Sequence, residues 1–335
     1  MGMARRTWLK VVYNQKDISK DIEKFLKAFT YTDVMSGEAD DIQITLEDRQ
    51  GLWKADWLPE KGDTLDVTIK TQYWHGNTVK ELPLGLFEID ELEASGQPEE
   101  VKIKAVSVPN NSALRGVDKS RAWEKTKLSV IAKDIADGAG MKLFYSTEDL
   151  EIDRAEQTQQ SDLSFLMQLC RDKGLALKIS DKQIIIFDEE KFEKAAAVGT
   201  IVKKSSALAG YSIRSQTREI YAACHVKYQN TENKEVVEAT YTVPEKKGKT
   251  LEVNEEVKSI AEAEKLSKKK LREKNKDEIT VSLTLVGADN MAAGNVFNLQ
   301  GFGAFDGRYI VVKAGHTIGG GYVITVDMRR CLDGY

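Results

Sequence analysis

Any catalysis or metal binding in this chain must be built from few parts. Its histidines are His75, His225 and His316, and its cysteines are Cys170, Cys224 and Cys331. Both sets are dispersed. A zinc site groups its thiolate and imidazole ligands at short spacings, and here only Cys224-His225 is adjacent. On a strand, neighbouring side chains leave on opposite faces, so this pair would diverge rather than chelate. Three distant cysteines give no disulfide framework and suit buried thiols in a reducing compartment.

Carboxylates are abundant: Asp40-Asp41, Glu88 with Asp90 and Glu91, Glu148-Asp149 with Glu151, and Asp188-Glu189-Glu190. A glycosidase needs two carboxyls set across one cleft at a fixed separation, whereas runs of this kind usually mark solvated turns. There is no Gly-x-Ser-x-Gly elbow, Walker loop, His-Glu-x-x-His or Cys-x-x-Cys, and each of those motifs carries a defined mechanism. Gly301, Gly303 and Gly307 look superficially like a dinucleotide loop. They lack the third-glycine spacing and no helix follows, so they read as a tight turn between strands. We expect no catalytic centre, no cofactor and no metal. The most basic stretch, Lys265 to Lys276, is interrupted by Glu273 and preceded by Glu262 and Glu264. It reads as the mixed-charge, solvated face of a helix rather than a phosphate or nucleic-acid surface.

The elements that would position these residues are mainly strands. The chain has 335 residues, 41% hydrophobic and 30% charged, with a net charge of −4. That balance argues against general attraction to nucleic acid or anionic membrane. No stretch is long and apolar enough to span a bilayer, and Thr7-Trp8-Leu9-Lys10 does not continue as a signal core. We therefore expect neither a membrane anchor nor a leader. Polar–apolar alternation over 41–47, 64–70, 85–92 and 100–106 predicts half-buried strands, and 18–28 gives a short helical or mixed reading. Leu128, Ile131, Ile135 and Ala139 recur at helical spacing. Ser161 is a good N-cap and Asp162 favours the first turn of a helix bearing Leu163, Leu166, Leu169 and Cys170, which Gly174 ends. Further strands follow at 175–179, 184–187, 207–214, 222–228 and 235–243, then a charged helix over about 259–276. The end returns to strands, with Gly319-Gly320-Gly321 turning a closing hairpin. The expected fold class is α+β, mainly β, with antiparallel barrel or sandwich domains. The expected domains are an N-terminal β-barrel-like domain (1–106), a linker (107–124), a small α/β domain (125–190) and a second β domain (191–335) carrying the charged helix.

Two regions carry a recognisable pattern. The first is Gln157, then Ser161-Asp162, Phe165-Leu166, Leu169 and Gly174. The second is Gly301-Phe302-Gly303, Asp306-Gly307-Arg308-Tyr309, His316 and Gly321-Tyr322, running to Arg330. Together they resemble the late control D family of phage tail proteins, and similar elements occur in the N-terminal half of type VI secretion spikes. Gln160 stands where an acidic residue is common and Gln168 where arginine is common, which leaves any particular family salt bridge open. The resemblance implies a structural baseplate hub of a contractile tail, from a phage or prophage and assembled in the host cytoplasm. It implies a homotrimer whose two tube-like β domains per subunit form a ring, adapting a sixfold tail tube to a threefold central spike. Tube protein and spike protein are the implied partners, and DNA would pass through the channel without specific binding. The motif residues, with Gly307, Tyr309 and His316, would be structural. The alternatives are a tail-associated peptidoglycan hydrolase and a cell-surface-binding β module.

Overall fold

Alternation of apolar and polar residues builds most of the chain into antiparallel strands. The computed structural model describes residues 3–74, 76–107, 114–229, 235–287 and 291–335; His75 lies outside them. The N-terminal third contains β1 (Arg6–Tyr13), β2 (Lys16–Asp17), α1 (Ser19–Glu23), β3 (Leu26–Val34), β4 (Asp41–Glu47), β5 (Thr64–Gln72), β6 (Lys80–Ser95) and β7 (Glu100–Val106). The middle contains β8 (Lys119–Lys127), α2 (Leu128–Gly138), β9 (Lys142–Ser146), β10 (Glu151–Gln160), α3 (Asp162–Asp172), β11 (Ala176–Ser180), β12 (Gln183–Phe187) and α4 (Glu189–Glu193). The remainder contains β13 (Gly199–Val202), β14 (Leu208–Ser215), β15 (Tyr221–Gln229), β16 (Val236–Thr242), β17 (Lys249–Val253), α5 (Ile260–Asn275), β18 (Ile279–Val286), β19 (Val296–Gln300), β20 (Gly307–Ile318) and β21 (Tyr322–Arg330).

Strands from both ends of the sequence join one long sheet in the order β14-β18-β21-β20-β3-β4-β7-β6-β5-β1-β2, with β19 and β13 branching from β20. The seam is β20. Its first part pairs with β19 in the register Tyr309↔Phe297. The β20–β21 register shifts between Val311 and Lys313, and the second part pairs with β3 in the register His316↔Tyr31. A bulge bends a strand and re-aims its side chains, so one strand serves two neighbourhoods. The two halves share one core: Phe29, Ile44, Val67 and Phe87 pack in the same cluster as Leu283, Tyr309, Ile324 and Val326.

The α/β unit has a separate core, in which Leu128, Ile131 and Ile135 of α2 meet Leu166 and Cys170 of α3 and Ile184 and Ile186 of β12. Its strands run β11-β12-β9, with β9 and β12 parallel. Residues 119–124, which the sequence reads as linker, are strand: β8 pairs with β10 as a two-stranded ribbon. Neither strand shows a clear apolar period, because the ribbon buries few residues, Ile152, Ala155 and Gln157 among them. Within the expected second β domain, β16-β15-β17 form a small sheet of their own. It packs on α5 through Cys224, Val226, Ala263 and Leu271.

Candidate functional site

The motif around Ser161 splits into two jobs. Ser161 is extended (φ −67°, ψ 154°) and its Oγ accepts the Ser164 N–H at 3.3 Å, satisfying one of the free donors at a helix start. Asp162 stands in the first turn as expected, and it does more than favour the helix dipole. Its side chain is 1% exposed. It accepts from Lys119 Nζ and from Arg121 Nη2, each at 2.6 Å, and from Gln157 Nε2 at 2.9 Å. Gln157 also donates to Gln160 O (2.8 Å) and accepts from Arg121 Nε (2.9 Å). The Arg121 guanidinium lies over the Trp123 ring at 4.6 Å, and Trp123 stacks on Phe165 at 5.2 Å. Gln157, Asp162 and Phe165 thus join the β8–β10 ribbon to α3. Leu166 is fully buried and Leu169 packs partly buried on the same core. Gly174 takes φ +66°, and a Cβ there would stand 3.0 Å from the Lys269 side chain of α5.

The C-terminal motif closes a loop. Asp306 accepts the N–H groups of Gly301 (3.1 Å) and Phe302 (2.6 Å), so this glycine-rich stretch is the expected tight turn. Gly307 has φ +146°. Tyr309 is buried and donates to Phe305 O at 2.8 Å, while Arg330 lies 5.5 Å over its ring. His316 is buried at the seam. Its Nε2 lies 3.1 Å from Met291 O, which can only accept, so Nε2 carries the proton; Nδ1 then accepts from Tyr322 OH at 2.8 Å. Burial lowers the His316 pKa from its ordinary value, which favours this neutral tautomer. Each half of the motif therefore fixes a local junction, and the two lie in different cores.

Charge clusters that the sequence reading missed tie the units together. Lys178 of β11 bonds Asp33 and Asp40 beside β3. Arg329 of β21, 2% exposed, reaches Glu189 at 2.7 Å and Glu193 at 2.6 Å on α4, and Arg272 of α5 meets Glu193 at 3.0 Å. The basic face of α5 is not simply solvated, because Lys265 pairs with Glu148 and Lys268 with Glu190 of the α/β unit. No short motif announces such partners, since each lies far away in sequence.

The buried cysteines are chemically muted. Burial pushes the Cys170 thiol up to about 12, and Cys224 and Cys331 up to about 11, so all three stay protonated and poorly nucleophilic at neutral pH. Among the described residues no three His, Cys, Asp or Glu side chains gather as metal ligands. Also among them, no helix is long and apolar enough to cross a membrane. The best-developed chemistry of the molecule is that of junctions between packed units.

The sequence profile of the phage tail baseplate hub (GPD) family matches residues 87–322. The probable baseplate hub protein of Escherichia phage P2 is 32% identical over 169 residues, covering 49% of this chain and 41% of that protein. The corresponding protein of Escherichia phage 186 is 27% identical over 176 residues, covering 51% and 42%. The matched part thus spans less than half the length of these curated relatives. In fold, the chain is similar to the 43 kDa tail protein of prophage MuSo2 from Shewanella oneidensis (TM-score 0.72, 12% identity, 97% of this chain and 98% of that one). It is similar also to the tail protein of Neisseria meningitidis MC58 (TM-score 0.73, 11% identity, 98% and 97%). An Escherichia coli type VI secretion component follows at TM-score 0.58 and 10% identity, over 99% and 78%. With the profile covering well over half its length, the chain belongs to the phage tail baseplate hub family.

Proposed function

We propose that this protein is a structural adaptor in the virion tail, a homotrimer whose ring joins the tail tube to the central spike without catalysing a reaction. Family membership sets the class. The observation that carries the adaptor reading is the long sheet: strands from residues 1–106 and from 191–335 form two β halves side by side. Three chains would supply six such halves, matching a sixfold tube, while the trimer matches a threefold spike. These two segments are the tube-like domains of the proposal, and the α/β unit of 125–190 lies between them in sequence. The sheet ends on strand edges suited to closure. The outer edge of β14 pairs with no described strand, and β2 covers only Val12 and Tyr13 of β1. Long exposed edges invite association, and a closed ring would bury them. The non-core face of the seam strands exposes Ser282, Thr317 and Thr325 together with the opposite charges Lys313 and Asp327. Co-expression with the cognate tube and spike proteins tests the proposal. Both should co-purify with the hub, and the preparation should release no muropeptides from peptidoglycan. A hub that retains neither partner, or that hydrolyses cell wall with a dependence on one of its own carboxylates, would contradict the adaptor reading.

A further inference from the structure

The α/β unit meets the long sheet across buried charge. Around the contact, Ser107 Oγ donates to Ile179 O at 2.9 Å and Gly37 N donates to Leu177 O at 3.2 Å, while Ala39 bridges Ile179. At its centre, Lys178 Nζ donates to Asp33 Oδ1, to Val34 O at 2.8 Å and to Asp40 Oδ1 at 3.0 Å. Asp33 also accepts the Ala293 N–H at 2.8 Å, and Asp40 accepts the Val34 N–H at 2.9 Å. Asp40 Oδ2 lies 3.0 Å from Lys178 Nζ but accepts no well-aligned hydrogen bond. Asp33 is 6% exposed and Asp40 1%. One ammonium thus faces two carboxylates, and with both ionised the cluster carries an uncompensated negative charge away from water. Burial and a like neighbour both oppose holding that charge.

We propose that the Asp33–Lys178–Asp40 cluster is a proton-operated latch, in which uptake of one proton by the carboxylate pair tightens the seat of the α/β unit on the sheet. The other titratable groups lining the same cavity are Tyr31 of β3 and His316 of β20. Burial, with Asp33, Asp40 and Asp41 nearby, raises the Tyr31 phenol, which stays neutral. Burial raises Asp40 to about 6; Lys178 opposes the shift and Asp33 adds to it. The folded chain therefore holds this proton at pH values where the unfolded carboxyl, with its ordinary value of 3.8, has released it. The stability gained is fully present below the unfolded value and is lost as pH rises through about 6. His316 works in the opposite sense. Its folded value is depressed, so its contribution is present above the ordinary 6.5 and is lost as pH falls through the folded value. Global melting mixes the two, so the latch has to be read locally.

Hydrogen exchange of the β11 amides (Ala176–Ser180), corrected for intrinsic rates, provides that reading. Between pH 7.5 and pH 5.0 the wild-type protection factors should rise about tenfold, the equivalent of one pKa unit. Asp40→Asn, uncharged at either pH, should already be protected at pH 7.5 and should show no rise. His316→Gln should keep the rise. Wild-type β11 amides no better protected at pH 5.0 than at pH 7.5 would overturn the proposal, whether or not the variants fold. So would a rise that survives Asp40→Asn or that disappears in His316→Gln.

Discussion

Ser161 and Asp162 are neighbours with different costs. Ser161 supplies one hydrogen bond at an exposed helix start, so Ser161→Ala should destabilise the protein by about 0.5–2 kcal/mol. Asp162 is the buried acceptor for Lys119, Arg121 and Gln157. Removing one partner of a buried pair costs about 3–5 kcal/mol, because the other charge is stranded. Lys119 and Arg121 keep 27% and 30% of their side chains exposed, so water recovers part of that, and Asp162→Asn should cost about 2–4 kcal/mol. Urea denaturation of both variants checks the order; an Asp162→Asn midpoint at or above that of Ser161→Ala would contradict it. The same pair shows what was legible. A cap is a local bond, so Ser161 could be read from the residues following it. The charged partners of Asp162 lie 41 and 43 residues upstream, in a stretch that carries no apolar period, and only Gln157 is close in sequence.

At the scale of elements, legibility followed apolar period. Most strands of the long sheet and the stripes of α2 and α3 stand out in sequence because each buries one face on a core; β3 does not, and its first residues, 26–28, fall in the span that reads as helical or mixed, of which only Ser19–Glu23 is helix. β8 and β10 form a ribbon with most side chains exposed, so no period marks them. The lysines of α5 look solvated one by one and reveal their ion pairs only once the α/β unit is beside them. Helix termination was readable, and Gly174 tests why. Its φ of +66° costs a residue with a Cβ about 1–2 kcal/mol, and the Lys269 side chain crowds the same space. Gly174→Ala should therefore lower the thermal midpoint, with a loss of at least about 1 kcal/mol. A midpoint equal to wild type would mean that the turn relaxes to another conformation.

For the whole molecule, the strand-rich character of both ends was plain from alternation, but their fusion into one sheet was not. Fusion depends on β20 changing partners at its bulge, from β19 to β3, and no short-range pattern encodes a partner nearly 300 residues away. That fusion would also make the proposed six-part ring from three chains geometrically simple, since among the described residues the outer edge of β14 is unpaired and β2 covers little of β1. A biological interface between chains should bury more than about 1,000 Å². Assembly can need the partner, so the decisive quantity is solution mass with and without the cognate spike. Light scattering at concentrations well above micromolar should find a species holding three hub chains of 37.5 kDa each, either alone or with the mass of the bound spike added. A hub that stays at the mass of one chain in both conditions would contradict the account.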